Sequence, residues 1–198
     1  MAPPRLTLAV LAVGTWCLGC GNNPSPSDQQ RTASQSGLIL QAGEGERRVR
    51  RTQNNFPFII KVDRQNGGSQ DLVMVYEDVP SGHVIAPHRH LVADEIIFVH
   101  RGSGVATVGT VRKDVTAGAT IYIPRDTRIT FQNTGTEVMT IAAIFSKPGS
   151  EEMLRDASVL EGQPVTPLSD SERAAILEKG KWHTVYEESV PGLPKKKQ

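Results

Sequence analysis

Between Gly37 and Pro148 the apolar residues come in short runs, each cut off by a turn signal, and this rhythm limits the fold more than any other feature of the chain. The clearest turns are Asn66-Gly67-Gly68, Pro80-Ser81-Gly82, Arg101-Gly102-Ser103-Gly104 and Asn133-Thr134-Gly135. Between them the pattern predicts strands at Gly37–Ala42, Phe56–Val62, Asp71–Val79, His83–His90, Glu95–His100, Gly104–Val108, Thr120–Ile123, Arg128–Asn133 and Glu137–Phe145. So many short antiparallel strands must close into a sandwich or barrel, because only closure hides their edges. No long amphipathic helix interrupts the series. An all-β body over residues 37–148 is expected.

Two short helices are predicted behind it, at Ser150–Ser158 and Ser169–Lys179, within a C-terminal extension and tail spanning 149–198. In the second, Ser169 and Glu172 have the spacing of a capping box, and Gly180 supplies a stop. The N-terminal end reads as an address. Met1–Arg5 carries one positive charge, and Leu6–Leu18 is apolar but too short for a mature spanning helix, as in the core of a secretory signal. The run ends Cys17-Leu18-Gly19-Cys20, which resembles a bacterial lipobox, although Cys17 stands where Leu is usual. A signal peptide at 1–19, lipidation at Cys20 and a flexible tether over the polar segment 20–36 are expected. That reading makes the protein an exported lipoprotein, anchored to the cell envelope on the periplasmic side of the outer membrane. The alternative is simple secretion.

Lys and Arg total 22 against 21 for Asp and Glu, a balance that leaves no electrostatic footprint for nucleic acid. The cluster Arg47, Arg48, Arg50 and Arg51 reads as a solvated strand edge, with binding of anionic lipid or substrate as the alternative, and Lys195–Lys197 reads likewise as solvated. Both cysteines lie in the leader, at 17 and 20, so any metal site in the body must be built from His and carboxylate.

His88 and His90 flank Arg89, and on a strand such a pair shares one face. Glu95 comes after a turn expected at Leu91–Asp94, and a hairpin would fold it back beside the imidazoles on one wall. Two neutral imidazoles and one carboxylate make a facial set that leaves positions open on a divalent metal. By the same alternation His83 and His100 face outward, His100 being a distant candidate for a substitute ligand. His183, beside Trp182, reads as surface or packing.

The segment Gly82-x5-His88-x-His90-x4-Glu95-x6-Gly102 matches the first cupin motif at each fixed position. A second segment, Gly118-x5-Pro124-x-Asp126-x2-Ile129-x3-Asn133, is similar to the second motif. There Asp126 replaces a Gly and Ile129 replaces the fourth ligand, His. The resemblance spans Asp71–Phe145, and the stretch Phe145–Arg155 is similar to the segment after the barrel in quercetinase-like cupins. It implies a double-stranded β-helix, or jelly roll, with a metal at its mouth on His88, His90 and Glu95. Fe2+ suits that set best, with Mn2+, Ni2+ or Zn2+ as alternatives. With Ile129 unable to ligate, either water fills the vacancy or the metal has been lost. Phe131 shares the face of Ile129, making that side of the pocket apolar and favouring an aromatic or other hydrophobic substrate.

The resemblance does not select one reaction, because cupins share a barrel while differing in activity. The leading expectation is a metal-dependent oxidoreductase of dioxygenase type acting on a small organic molecule, with Glu95 as ligand and as proton acceptor if it dissociates. The rival is a non-catalytic envelope module that captures a small ligand. Sugar or sugar-phosphate isomerisation is a third reading, weakened because no basic cluster is placed at the pocket. A homodimer is implied by resemblance only.

Overall fold

The computed structural model describes residues 37–52 and 55–187. The expected signal peptide, Cys20, the tether and Lys195–Lys197 lie outside them. The described chain builds two antiparallel sheets facing each other, with two helices after the tenth strand. The strands are β1 (Glu46–Arg50), β2 (Pro57–Val62), β3 (Val73–Val79), β4 (Val84–His90), β5 (Glu95–Arg101), β6 (Ser103–Val108), β7 (Val111–Thr116), β8 (Thr120–Ile123), β9 (Ile129–Asn133), β10 (Met139–Phe145), β11 (Ser158–Leu160) and β12 (Thr184–Tyr186). One sheet runs β11-β1-β2-β3-β10-β5-β8 and the other β12-β4-β9-β6-β7.

Alternation decides what faces inward. On β3 the buried positions are Val73, Val75, Glu77 and Val79, and on β5 they are Glu95, Ile97 and Val99. The interior divides into two apolar clusters. One gathers Ile97, Val99, Ile121, Ile129, Phe131 and Ile141, and the other Phe58, Ile60, Val75, Ala143, Phe145 and Leu154. Members of both line the polar pocket around His88, His90 and Glu95.

Eight of the expected strands are present, with ends shifted by no more than two residues. The ninth, Gly37–Ala42, is not a strand: the carbonyls of Gln41, Ala42 and Glu44 turn instead onto the Lys61 ammonium at 2.8, 2.7 and 2.6 Å. The true first strand is β1, whose Glu-Arg-Arg-Val-Arg sequence carries little apolar alternation. β7 carries no apolar alternation for the related reason that its only buried residue is Val115. β11 and β12, three residues each, are too short to carry a period at all.

Those two short strands tie the C-terminal segment into both sheets. β11 pairs with β1, Arg48 opposite Leu160, and β12 pairs with β4, Tyr186 opposite His88. The arginine cluster is therefore no solvated edge, since β11 lies outside β1. Arg47 pairs with Glu161 at 2.6 Å and Arg51 with Glu172 at 2.8 Å, Arg48 bonds Ser158 Oγ at 2.7 Å, and Arg50 turns inward to Glu77 at 2.7 Å. Arg155 of α1 (Ser150–Asp156) reaches the buried Asp63 at 2.6 Å and also pairs with Glu46. The exposed pairs contribute little each, whereas Arg155 neutralises a carboxylate that would be costly to bury alone. α2 (Asp170–Gly180) begins with the expected capping box of Ser169 and Glu172.

Candidate metal centre

The chain reverses from β4 into β5 across Leu91–Asp94, and the reversal changes sheets. β4 pairs with β9 and β12, whereas β5 pairs with β10 and β8. A simple hairpin would have put the three groups on one wall. The crossover puts His88 and His90 on one sheet and Glu95 on the opposite one, so the set bridges the interior. The turn is held at both ends: Leu91 N donates to His183 O at 2.7 Å and Asp94 N to Ser146 Oγ at 2.9 Å.

His88, His90 and Glu95 are all buried, and one ligand atom from each lies within 4.8 Å of the others. His90 Nε2 and Glu95 Oε2 sit 3.4 Å apart, yet neither has a hydrogen-bond partner among the described residues. They do not form an ion pair either. Burial holds the His90 imidazolium down to about 4, so the ring is neutral at physiological pH. Burial pushes the Glu95 carboxyl up to about 7, partly offset by His88 and reinforced by Glu77. His88 is lowered as well, first by burial and then by His90 beside it.

The hydrogen bonds behind the rings fix their orientation. His88 Nδ1 meets Ala86 O at 2.7 Å, and because a carbonyl only accepts, that nitrogen carries the proton and Nε2 keeps its lone pair. His90 Nδ1 lies 3.0 Å from Thr184 Oγ1, which lies 2.8 Å from His183 Nδ1. With Nδ1–H donating to Thr184 and the hydroxyl donating onward to His183, the free atom of His90 is again Nε2. Two neutral imidazoles with anchored Nδ1–H groups and a facing carboxylate are what a divalent cation requires. The two unpartnered atoms are the ones such a cation would take up, so the residues present fit the group.

Other residues enter the site from places with no sequence signal. Tyr186 stacks on His88, with centroids 5.2 Å apart and planes at 27°, and burial raises its phenol above the ordinary range. His183 is 1% exposed, packed 5.4 Å from the His90 ring. It is thus packing and not surface, and its fit demands Gly149: a Cβ there would meet His183 Cδ2 at 2.2 Å, and the backbone φ of 138° already favours glycine. Arg50 and Glu77 complete the polar lining. Only the tripeptide pairing of β12 with β4 brings Thr184 and Tyr186 here, and so short a strand could not be read ahead of the fold.

The remaining histidines stay out of the set. His83 is half-buried against Phe56, 4.7 Å between centroids, and so less outward than alternation implied. His100 is exposed, lining a hollow of 350 Å³ on the outer side with Tyr76 and Arg47. Ile129 is 1% exposed, sits opposite His88 and, with Phe131, forms the apolar wall expected. The cavity enclosed is small, 60 Å³, against the roughly 300–1,000 Å³ of sites that engulf drug-sized ligands. Ser150, Met153 and Leu154 of α1 line it together with Tyr186.

Residues 75–145 match the Cupin_2 family model, described as a cupin domain. That match runs from within β3 to the end of β10 and so takes in most of the barrel. The architecture agrees: KdgF from a Halomonas species superposes with a TM-score of 0.50 at 16% identity, over 59% of this chain and 99% of that one. A predicted oxalate decarboxylase from Thermotoga maritima gives 0.49 at 15% identity, over 56% and 100%. At 16% identity the likeness to KdgF is one of fold. In sequence, an uncharacterized protein of Methanocaldococcus jannaschii, MJ1618, is 32% identical over 83 residues, or 42% of this chain. The chain spans 64% of the length of that relative. The segment similar to the second cupin motif departs from it at one structural position and keeps another. Asp126 has a φ of 58°, which explains why glycine is usual there, and the buried Asn133 donates to Val79 O and Glu137 O, both at 2.8 Å.

Proposed function

We propose that this cupin holds one divalent cation, Fe2+ by preference, on His88, His90 and Glu95, and acts as a metal-dependent oxidoreductase on a small organic molecule. The observation that carries the reading is the pair of buried, unpartnered ligand atoms, His90 Nε2 and Glu95 Oε2, 3.4 Å apart within reach of His88. Buried polar atoms without partners are rare and call for an explanation. The set also leaves coordination positions free, since Ile129 supplies no fourth donor. A bound cation would supply a place for substrate and dioxygen to meet.

The chain's own residues would do the rest. His88 and His90 present Nε2 lone pairs, held by Ala86 and Thr184. Glu95 contributes negative charge and, when released from the cation, takes a proton readily, its carboxyl lying near 7. Ile129 and Phe131 exclude water, and Tyr186 keeps a phenolic proton within the cavity. The leader and Cys20 would place this activity on the cell envelope.

The second reading, a non-catalytic module that captures a small ligand, is favoured by one observation: the cavity is only 60 Å³ and partly covered by α1 and Tyr186. Oxygen consumption separates the two. Protein loaded with Fe2+ without oxygen and then mixed with a panel of small organic acids and phenolics should take up dioxygen in proportion to one substrate. Full metal loading with no uptake across the panel would select the binding module.

A further inference from the structure

The metal cavity contains one more buried polar atom without a partner among the described residues, Arg50 Nε. A cation satisfies His90 Nε2 and Glu95 Oε2, because both offer lone pairs. It cannot satisfy Arg50, whose Nε–H is a cationic donor that needs an acceptor. The guanidinium is already well fixed. One terminal nitrogen lies 2.7 Å from Glu77 Oε1, and the group lies over the rings of Phe58 and Phe56, 5.1 and 5.3 Å from their centroids. Its side chain is 18% exposed, so bulk water does not supply the missing acceptor freely. A desolvated donor left without an acceptor is costly, more so when charged, and such a cost is sustained most simply where a ligand meets it.

We infer that Arg50 receives the carboxylate of a short organic acid whose other end reaches the metal centre. The inference rests on the metal reading and names the substrate class for the same site. Three observations converge on it. Charge favours an anion: Arg50 and Glu77 cancel, while a divalent cation against the one carboxylate of Glu95 leaves a net positive cavity. Geometry favours a carboxylate, because the unpartnered Nε–H and the inner N–H of the terminal nitrogen beside it, whose other N–H is free to serve Glu77, form a face for two-point bonding. Size favours a short chain, since 60 Å³ accommodates a few heavy atoms and no substituted ring. The apolar wall of Ile129 and Phe131 then packs against the acid's carbon stem and not against an aromatic group.

Malonate and its neutral diamide, malonamide, have the same number of heavy atoms and separate charge from size. Metal content is measured first, and each probe is then titrated calorimetrically into the same purified protein. Wild type should bind malonate at least about tenfold tighter than malonamide, the scale of one charge-assisted hydrogen bond. Arg50→Lys keeps an ammonium for Glu77 but has no Nε–H. It should lose most of that preference while its metal content stays unchanged. If Arg50→Lys melts without cooperativity, the charge-neutral pair Arg50→Gln with Glu77→Gln serves instead, with the same expectation. No preference in wild type, or a full preference in the variant, overturns the inference. Protein that takes up no metal refutes the metal reading separately, and the same titrations on that metal-free protein still decide the role of Arg50 by whether malonate preference depends on it.

Discussion

β4 has a neighbour on each side, and the two treat the site differently. β9 sets Ile129 opposite His88, an aliphatic group where the cupin pattern has a ligand. β12 sets Tyr186 opposite His88 and Thr184 opposite His90, one stacking on an imidazole and the other bonding to one. Yet β9 belongs to the recognisable motif, and β12 belongs to a segment that no motif covers. β9 keeps the motif's architectural duties through Asn133 while lacking its chemical one. The polar support comes from the extension. A motif's structural and chemical parts can therefore separate, and the loss of one donor need not leave the rest unsupported.

The strongest consequence of the apolar β9 side is a dependence on pH. Burial raises Glu95 from an ordinary 4.5 to about 7, so below pH 7 the metal-free site holds a proton that a cation must displace. His90, held near 4, does not compete over that range. Cation affinity should fall about tenfold for each pH unit from 7 towards 5 and level off above 7, as read by competition with a chelator of known affinity. In the metal-free protein the sign reverses. A raised pKa contributes stability that is full below 4.5 and lost as pH rises through about 7, so ionising Glu95 destabilises the empty fold and a cation restores it. A flat affinity profile would mean that Glu95 is not a ligand.

The β12 side is tested by Thr184→Val, which keeps the shape and removes the hydroxyl between His90 and His183. Losses of roughly 10–100-fold in metal affinity are typical when such an orienting group is removed. A variant that binds as wild type does would show that the extension merely covers the site. The smallest effect is expected from Ile129→His, which returns a donor to the β9 side. Affinity should rise by up to about tenfold, net of the cost of burying an imidazole in an apolar wall. Unchanged affinity would place residue 129 out of coordinating reach, despite its position opposite His88.

Much of this fold was legible from turn chemistry and alternation. Strands such as β3, β5 and β10 declare themselves because one face is buried and each is long enough to show a period. β1 and β7 do not, since the first trades apolar residues for arginines that bind the extension and the second lies almost wholly in solvent. Within the site, the spacing of His88, His90 and Glu95 correctly brought the three together, but for the wrong geometric reason. The local pattern suggested a hairpin, and nothing in Leu91–Asp94 discloses that the chain crosses between sheets. Thr184, His183 and Tyr186 were unreadable as site residues, because each arrives through tertiary pairing at long separation. Arg50 was visible only as one of four arginines, and its inward turn depends on Glu77 across the sheet.

The central claim is that three side chains from opposite sheets jointly grip one cation, and anaerobic equilibrium dialysis against Fe2+ tests it directly. Wild-type protein should retain one equivalent, and His90→Ala, with its fold confirmed by an unchanged circular dichroism spectrum, should retain none. Equal retention by the two proteins, or none by either, would contradict the account.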